Sequence, residues 1–310
     1  MIPTKLTELL GIQYPIFQGG MAWVADGRLA ASVSEAGGLG FISAMALGRD
    51  YVKEQIDIAR SITDKPFGVN IMLMSPYAEE IAELVIEEKI PVISTGAGNP
   101  AKYMKRWNEA GIKVIPVVAS VALAKLVERS GAFAVIAEGT EAGGHVGELT
   151  TMVLVPQICD AVTIPVIAAG GIADGRTYAA SLILGASGIQ MGTRFLVATE
   201  CSIHQNYKDK VLKAKDISTI VTGKRSGHPV RSLKTNFSRT FYQDELEGVD
   251  PEELESRLKG SLRKAVQDGD EEGSFMAGQS SGLVKKEQSV QEILLEITEE
   301  ADALLRRSHE

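Results

Sequence analysis

The chain has 310 residues, of which 45% are hydrophobic and 23% charged, and its formal net charge is −8. That length supports a full core, as one large barrel or two modest domains, while the acidic balance argues against a nucleic-acid binder. No apolar run approaches the roughly 20 residues that cross a bilayer, two cysteines (Cys159 and Cys201) give no disulfide framework, and the opening MIPTKLTELLGIQYP lacks a secretory pattern, so a cytoplasmic protein without membrane contact is expected.

Taken in chain order, eight short β-branched runs are separated by helical patterns. They lie at residues 14–18 (YPIFQ), 39–43 (LGFIS), 67–72 (FGVNIM), 91–95 (PVIST), 113–118 (KVIPVV), 133–138 (FAVIAE), 165–170 (PVIAAG) and 187–192 (SGIQMG). Stretches such as YAEEIAELVIEEKI space their apolar residues as a helix does. Strands that are apolar throughout, with helices between them, predict a parallel sheet covered on both faces. Gly precedes several strands, in EAGGLGFI, EAGIKVI, RSGAFAVI and LGASGIQ, as though one helix-to-strand junction recurs. Eight βα units within residues 1–200 predict a closed (β/α)8 TIM barrel. An open doubly wound sheet would place G-x-G-x-x-G after the first strand, where this chain has QGGMAW. Residues 201–285 lack the βα rhythm and are expected to form an insertion or small subdomain. Residues 286–310, with SVQEILLEITEEADALLRR, are expected to close the barrel as an amphipathic C-terminal helix.

Parallel barrels carry their sites at the C-terminal ends of the strands. There the sequence places Gln18, Ser43, Asn70, Thr95, Glu138 and Gln190. A buried polar group without a partner costs on the order of 1–3 kcal/mol, so a shared polar ligand is expected. Ser43 and Thr95 could equally cap the next helix or satisfy loop backbone. Asn70, Glu138 and Gln190 lie deeper in apolar sequence and are the better ligand contacts. The seventh and eighth runs end in AAGGIADGR and QMGTRF. Barrels often hold phosphate in these two loops through backbone N–H groups. Gly170, Gly171 and Gly192 would let the backbone approach an anion, and Thr193 adds a hydroxyl, although tight turns alone could call for such glycines. After the sixth run, EGTEAGGHVGEL sets His145 in a glycine-rich loop. There it is either a solvated residue or a proton donor facing the rim.

QGGMAW, PFGVNIMLMSP, VISTGAGNP, AEGTEAGGHVGE, IPVIAAGGIADGR and QMGTRF closely resemble the FMN-dependent enoyl-acyl-carrier-protein reductase II group of bacteria. The wider group includes the nitronate monooxygenases (2-nitropropane dioxygenases). The likeness extends to TGKRSGHPVRSLK and GSFMAGQSSGLV near the end. It implies FMN, with its phosphate on Gly170, Gly171, Gly192 and Thr193 and with Met191 in the same motif. Gly20, Met21 and Ala22 would meet the flavin ring, and Asn70, Glu138 and Gln190 its polar atoms or the ribityl chain. NADH or NADPH would be the reductant, a trans-2-enoyl thioester on acyl carrier protein the acceptor, and His145 the catalytic group at the thioester carbonyl. A homodimer and activation by a monovalent cation are also implied. The alternative is a nitronate monooxygenase, with the same fold, FMN and histidine but with oxygen as oxidant. A flavin-free barrel acting on sugar phosphates, or a binding module without chemistry, would keep only the phosphate grip.

Residues 205–240 hold nine Lys and Arg against Asp209 and Asp216, a local +7 in a chain of net charge −8. An acidic carrier protein is expected to dock there, on Lys208, Lys210 and Lys213 among others. A solvated face that keeps the segment soluble is the competing explanation.

Overall fold

The computed structural model describes residues 4–44 and 47–307. Each of the eight predicted runs carries a barrel strand. The first six are β1 (Ile16–Gln18), β2 (Phe41–Ser43), β3 (Gly68–Met72), β4 (Val92–Gly96), β5 (Lys113–Val118) and β6 (Val135–Glu138). A two-residue strand, β7 (Gly144–His145), intervenes before β8 (Val166–Ala169) and β9 (Gly188–Met191) complete the barrel. The eight-stranded sheet runs β1-β9-β8-β6-β5-β4-β3-β2, parallel at every pairing. Closure comes from the parallel bridge Phe17–Leu39, through Gln18 N to Leu39 O (3.0 Å) and Leu39 N to Ile16 O (3.0 Å). The fold is therefore the predicted (β/α)8 barrel. The recurring glycines Gly37, Gly111, Gly131 and Gly185 have φ of 95°, 75°, 93° and 99°, the left-handed turn that carries each helix back to a strand.

Gln18 corrects the sequence reading. Its side chain is fully buried and meets no cavity. The amide donates to Phe41 O (3.2 Å) and accepts from Phe41 N (3.2 Å), so it stitches β1 to β2 where the backbone ladder is incomplete. Inside the barrel, Phe17, Phe41, Val92, Ile115, Ile136 and Ile167 form one apolar cluster, joined by Leu6 and Leu10 of the helix Lys5–Leu10. That short helix was not anticipated. It is sequence-local and amphipathic only over two turns, too short to stand out by periodicity.

Beyond β9 come the helix Gln205–Leu212, the antiparallel hairpin β10 (Thr219–Thr222) and β11 (Val230–Leu233), and the helices Asn236–Glu247 and Pro251–Leu258. The C-terminal helix Val290–Arg307 packs on the barrel helices Gly175–Ile183 and Gly27–Glu35. At the first contact Glu300 Oε2 accepts from Gly175 N (2.7 Å), satisfying a free N–H at a helix start. A Cβ on Gly175 would lie 2.4 Å from Glu300 Cβ and 2.6 Å from Ala301 N. Gly175→Ala should therefore push the C-terminal helix off the barrel at a cost of about 1–3 kcal/mol. Urea denaturation would read this as a lower midpoint, and an unchanged midpoint would show that the helix docks without that contact.

Candidate active site

One cavity opens where the barrel strands end. All twelve predicted site residues line it: Gly20, Met21 and Ala22 after β1, Asn70 in β3, Glu138 in β6, His145 in β7, Gly170 and Gly171 after β8, and Gln190, Met191, Gly192 and Thr193 at the end of β9. Ser43 and Thr95 do not reach it. Their hydroxyls are buried with no hydrogen-bond partner, so neither the ligand contact nor the cap considered for them is made.

The floor is built by close backbone approach. A Cβ on Gly20 would stand 2.3 Å from Asn70 Cβ, so the β1 loop can lie on Asn70 only without a side chain. Asn70 in turn donates from Nδ2 to Ser94 Oγ (2.9 Å), which fixes its amide. Gly170 and Gly171 adopt φ of 92° and 74° in succession. Thr151 ties this turn to the β6 loop: its hydroxyl contacts Gly170 O (2.9 Å) and Glu141 Oε2 (3.0 Å), and its N–H donates to both Glu141 carboxylate oxygens (3.0 and 2.9 Å). Glu141 and Thr151 were missed in the sequence, because their roles depend on two loops meeting in space. Gly171 N and Gly192 N donate to no acceptor among the described residues. The Thr193 hydroxyl accepts from Gly278 N (2.9 Å), which leaves its own proton free to donate. Two free N–H groups and a hydroxyl at adjacent strand ends suit a phosphate.

Glu138 stands at the inner end with no hydrogen bond to any described residue, and burial pushes its carboxyl up to about 7. Such a group is about half protonated at neutral pH and can donate to or accept from a ligand hydroxyl or amide. A phosphate grip, an unpartnered carboxyl raised by burial, and the amides of Asn70 and Gln190 lining the same cavity together fit a polar cofactor with one terminal phosphate, such as FMN.

His145 lies on a strand rather than in an open loop. β7 pairs antiparallel with β11, His145 opposite Val230 and Gly144 opposite Arg231, so the histidine belongs to a three-stranded sheet. Val146 N donates to Pro229 O (3.1 Å), and Arg231 Nε donates to Thr140 O (3.1 Å) across the loop. Gly143 is needed for packing, since a Cβ there would lie 2.7 Å from the Ala277 carbonyl carbon. The imidazole stays at the cavity mouth. Burial by its surroundings and, second, the nearby His228 hold its pKa below the usual value, so it is neutral at pH 7.

Leu262, Met276, Tyr207 and Ser280 complete the wall from the region after β9. Only the unperiodic motif GSFMAGQSSGLV signalled two of them in the sequence. The basic segment is divided by the fold. Lys208 is 4% exposed and donates to Ala198 O (2.8 Å) and Glu287 Oε1 (2.9 Å). Lys210 pairs with Glu271 (2.8 Å) and Lys213 with Asp209 (3.7 Å). Lys208 is therefore turned into the fold and away from any docking surface, whereas the Lys213 side chain stays 80% exposed beside its loose i,i+4 pair.

The model of the nitronate monooxygenase family matches residues 3–300. The chain belongs to the nitronate monooxygenase family. Among relatives of this family member, a Mycobacterium tuberculosis protein named (3aS,4S,5R,7aS)-5-hydroxy-7a-methyl-1-oxo-octahydro-1H-indene-4-carboxyl-CoA dehydrogenase is 42% identical over 235 residues. That match covers 75% of this chain and 66% of the relative, just under two thirds of its length. A probable nitronate monooxygenase of Staphylococcus aureus is 36% identical over 90% of this chain and 92% of its own. The structure of FabK from Thermotoga maritima superposes with a TM-score of 0.97 at 51% identity, over 100% of this chain and 99% of that one. The family member is thus an oxidoreductase by kinship.

Because burial holds the Glu138 carboxyl above its ordinary 4.5, its contribution to stability is fully present below about pH 4.5 and lost as pH rises through about 7. In the cofactor-free protein, Glu138→Gln should remove that loss. The melting temperature of the variant relative to the parent should then rise in the variant's favour from pH 4.5 to pH 8, read by thermal denaturation. A pH-independent difference would show that the carboxyl is not buried in the way described.

Proposed function

We propose that this chain is an FMN-dependent enoyl-acyl-carrier-protein reductase that uses NADH or NADPH. The observation that carries the reading is the 51% identity to FabK over the whole chain. FabK is the name of the reductase group that the motifs around Gly20, His145, Gly170 and Gln190 resemble.

When bound, FMN supplies hydride transfer between the nicotinamide and the β-carbon of the enoyl thioester. Gly171 and Gly192, through free N–H groups, and the Thr193 hydroxyl would hold its phosphate. Glu138, Asn70 and Gln190 would meet its polar atoms. His145, neutral and fixed by β11, is able to donate an N–H to the thioester carbonyl oxygen. Negative charge grows on that oxygen as the β-carbon is reduced, so the hydrogen bond strengthens in the transition state. Since a neutral imidazole would become an anion by releasing its N–H proton, the α-carbon proton would come from water and His145 would serve the carbonyl hydrogen bond. For an acidic carrier protein, exposed cations of the 205–240 segment with no ion pair among the described residues include Lys215, Lys224, Lys234 and Arg239. We place docking on these together with Lys213, leaving out the buried Lys208.

The family model and the Staphylococcus relatives favour a second reading, oxidation of alkyl nitronates with oxygen. Anaerobic reduction of the yellow protein by NADH or NADPH, followed by reoxidation with crotonyl thioester, supports the reductase. Oxygen-dependent consumption of a nitronate, with no bleaching by either nicotinamide, would support the monooxygenase. His145→Ala should retain FMN and its reduction by nicotinamide, while enoyl turnover falls about 10²–10⁴-fold. Near-normal turnover in steady-state assays would make His145 a bystander.

A further inference from the structure

A second cavity, ≈ 420 Å³, lies between the helix Asn236–Glu247 and the segment that follows Leu258. Its volume falls within the roughly 300–1,000 Å³ of small-molecule sites. The helical turn at residues 261–264 lies between the two cavities. Ser261 and Lys264 face the second cavity, whereas Leu262 between them faces the catalytic one. Arg263 anchors this wall to the barrel, its guanidinium carbon 5.4 Å from the centre of the Trp23 ring in the loop after β1. Trp23 takes a left-handed φ of 65°, so the contact holds a strained position.

The lining has two parts. Phe237 and Phe241, with ring centres 6.4 Å apart, give an aromatic side. Lys259 and Lys264 give a cationic side, and neither has an acidic partner among the described residues. The charge of Arg257 is already met by Asp244 and Glu253 (2.5 Å each), which leaves Glu272 as the one acid in the lining. A planar ring against phenylalanine and anionic groups against two free lysines describe a nucleotide carrying more than one phosphate.

We propose that this cavity binds the adenosine-phosphate end shared by nicotinamide dinucleotides and coenzyme A thioesters, with the reactive end of the same molecule passing over the 261–264 wall into the catalytic cavity. The assignment rests on the reductase reading, under which both kinds of molecule are substrates or substrate analogues. It deepens that reading by giving the reactants a grip of their own outside the strand ends.

Calorimetric titration of the FMN-loaded protein tests it with three probes: 2′,5′-ADP, 3′,5′-ADP and inorganic phosphate. One of the two bisphosphates should bind, and more tightly than phosphate. The 2′,5′ isomer would point to NADPH as the natural source, and the 3′,5′ isomer to coenzyme A. The double reversal Lys259→Glu with Lys264→Glu, at two exposed positions where folding is little affected, should weaken that binding at least ~10-fold, and Phe237→Ala should weaken it also. No binding of either bisphosphate at millimolar concentration, equal binding to parent and variants, or phosphate binding as tightly as both, would each overturn the site. Reoxidation of the dithionite-reduced protein by an N-acetylcysteamine enoyl thioester involves no adenosine phosphate. Failure of that reaction alongside variant-sensitive bisphosphate binding would sink the reductase reading and leave the site standing.

Discussion

The pairing of Gly144–His145 with Val230–Arg231 is the constraint on which the mouth of the barrel cavity depends. Barrel loops are usually free to vary, and a glycine-rich one would spread its histidine over many positions. Here a strand from beyond the barrel takes that loop into a sheet, and Arg231 crosses it to reach Thr140 O. The entropy of ordering the loop is met by backbone hydrogen bonds rather than by a ligand, so the main chain that carries the imidazole is set before anything binds. The region after β9 is thereby part of the site, and it also supplies Leu262, Met276 and Ser280 to the wall.

Opposite the histidine, the cavity is shaped by what the backbone leaves out. Gly20 on Asn70, and the paired left-handed turns at Gly170 and Gly171, bring main-chain N–H groups to the surface without side chains in the way. Glu138 then adds a carboxyl whose burial keeps it close to half protonated at neutral pH. Free amides at one end, a carboxyl raised by burial further in and an imidazole at the mouth therefore line one cavity.

Much of this was legible in the sequence. All eight barrel strands follow from apolar runs between helical patterns, because burial on both faces leaves a strong local signal. The twelve cavity residues were reachable because glycine and polar residues interrupt those runs at one end. What escaped depends on contacts distant in the chain. Gln18 looked like a rim residue, yet it serves as a side-chain substitute for ladder hydrogen bonds at the closure seam. Lys208 looked like part of a basic surface, yet Ala198 O and Glu287 draw it inward. β7 has two residues, below any periodicity, and exists only because β11 lies beside it.

Hydrogen exchange over residues 140–149 tests the central claim most directly, since it reports whether His145 is fixed by the sheet and asks nothing about the reaction. In the parent protein, the amides of Gly144–Val146 should exchange far more slowly than those of an open loop. Arg231→Ala should release them together with residues 219–233, while the barrel strands stay protected. Fast exchange at Gly144–Val146 in the parent, or unchanged protection in Arg231→Ala, would contradict the account.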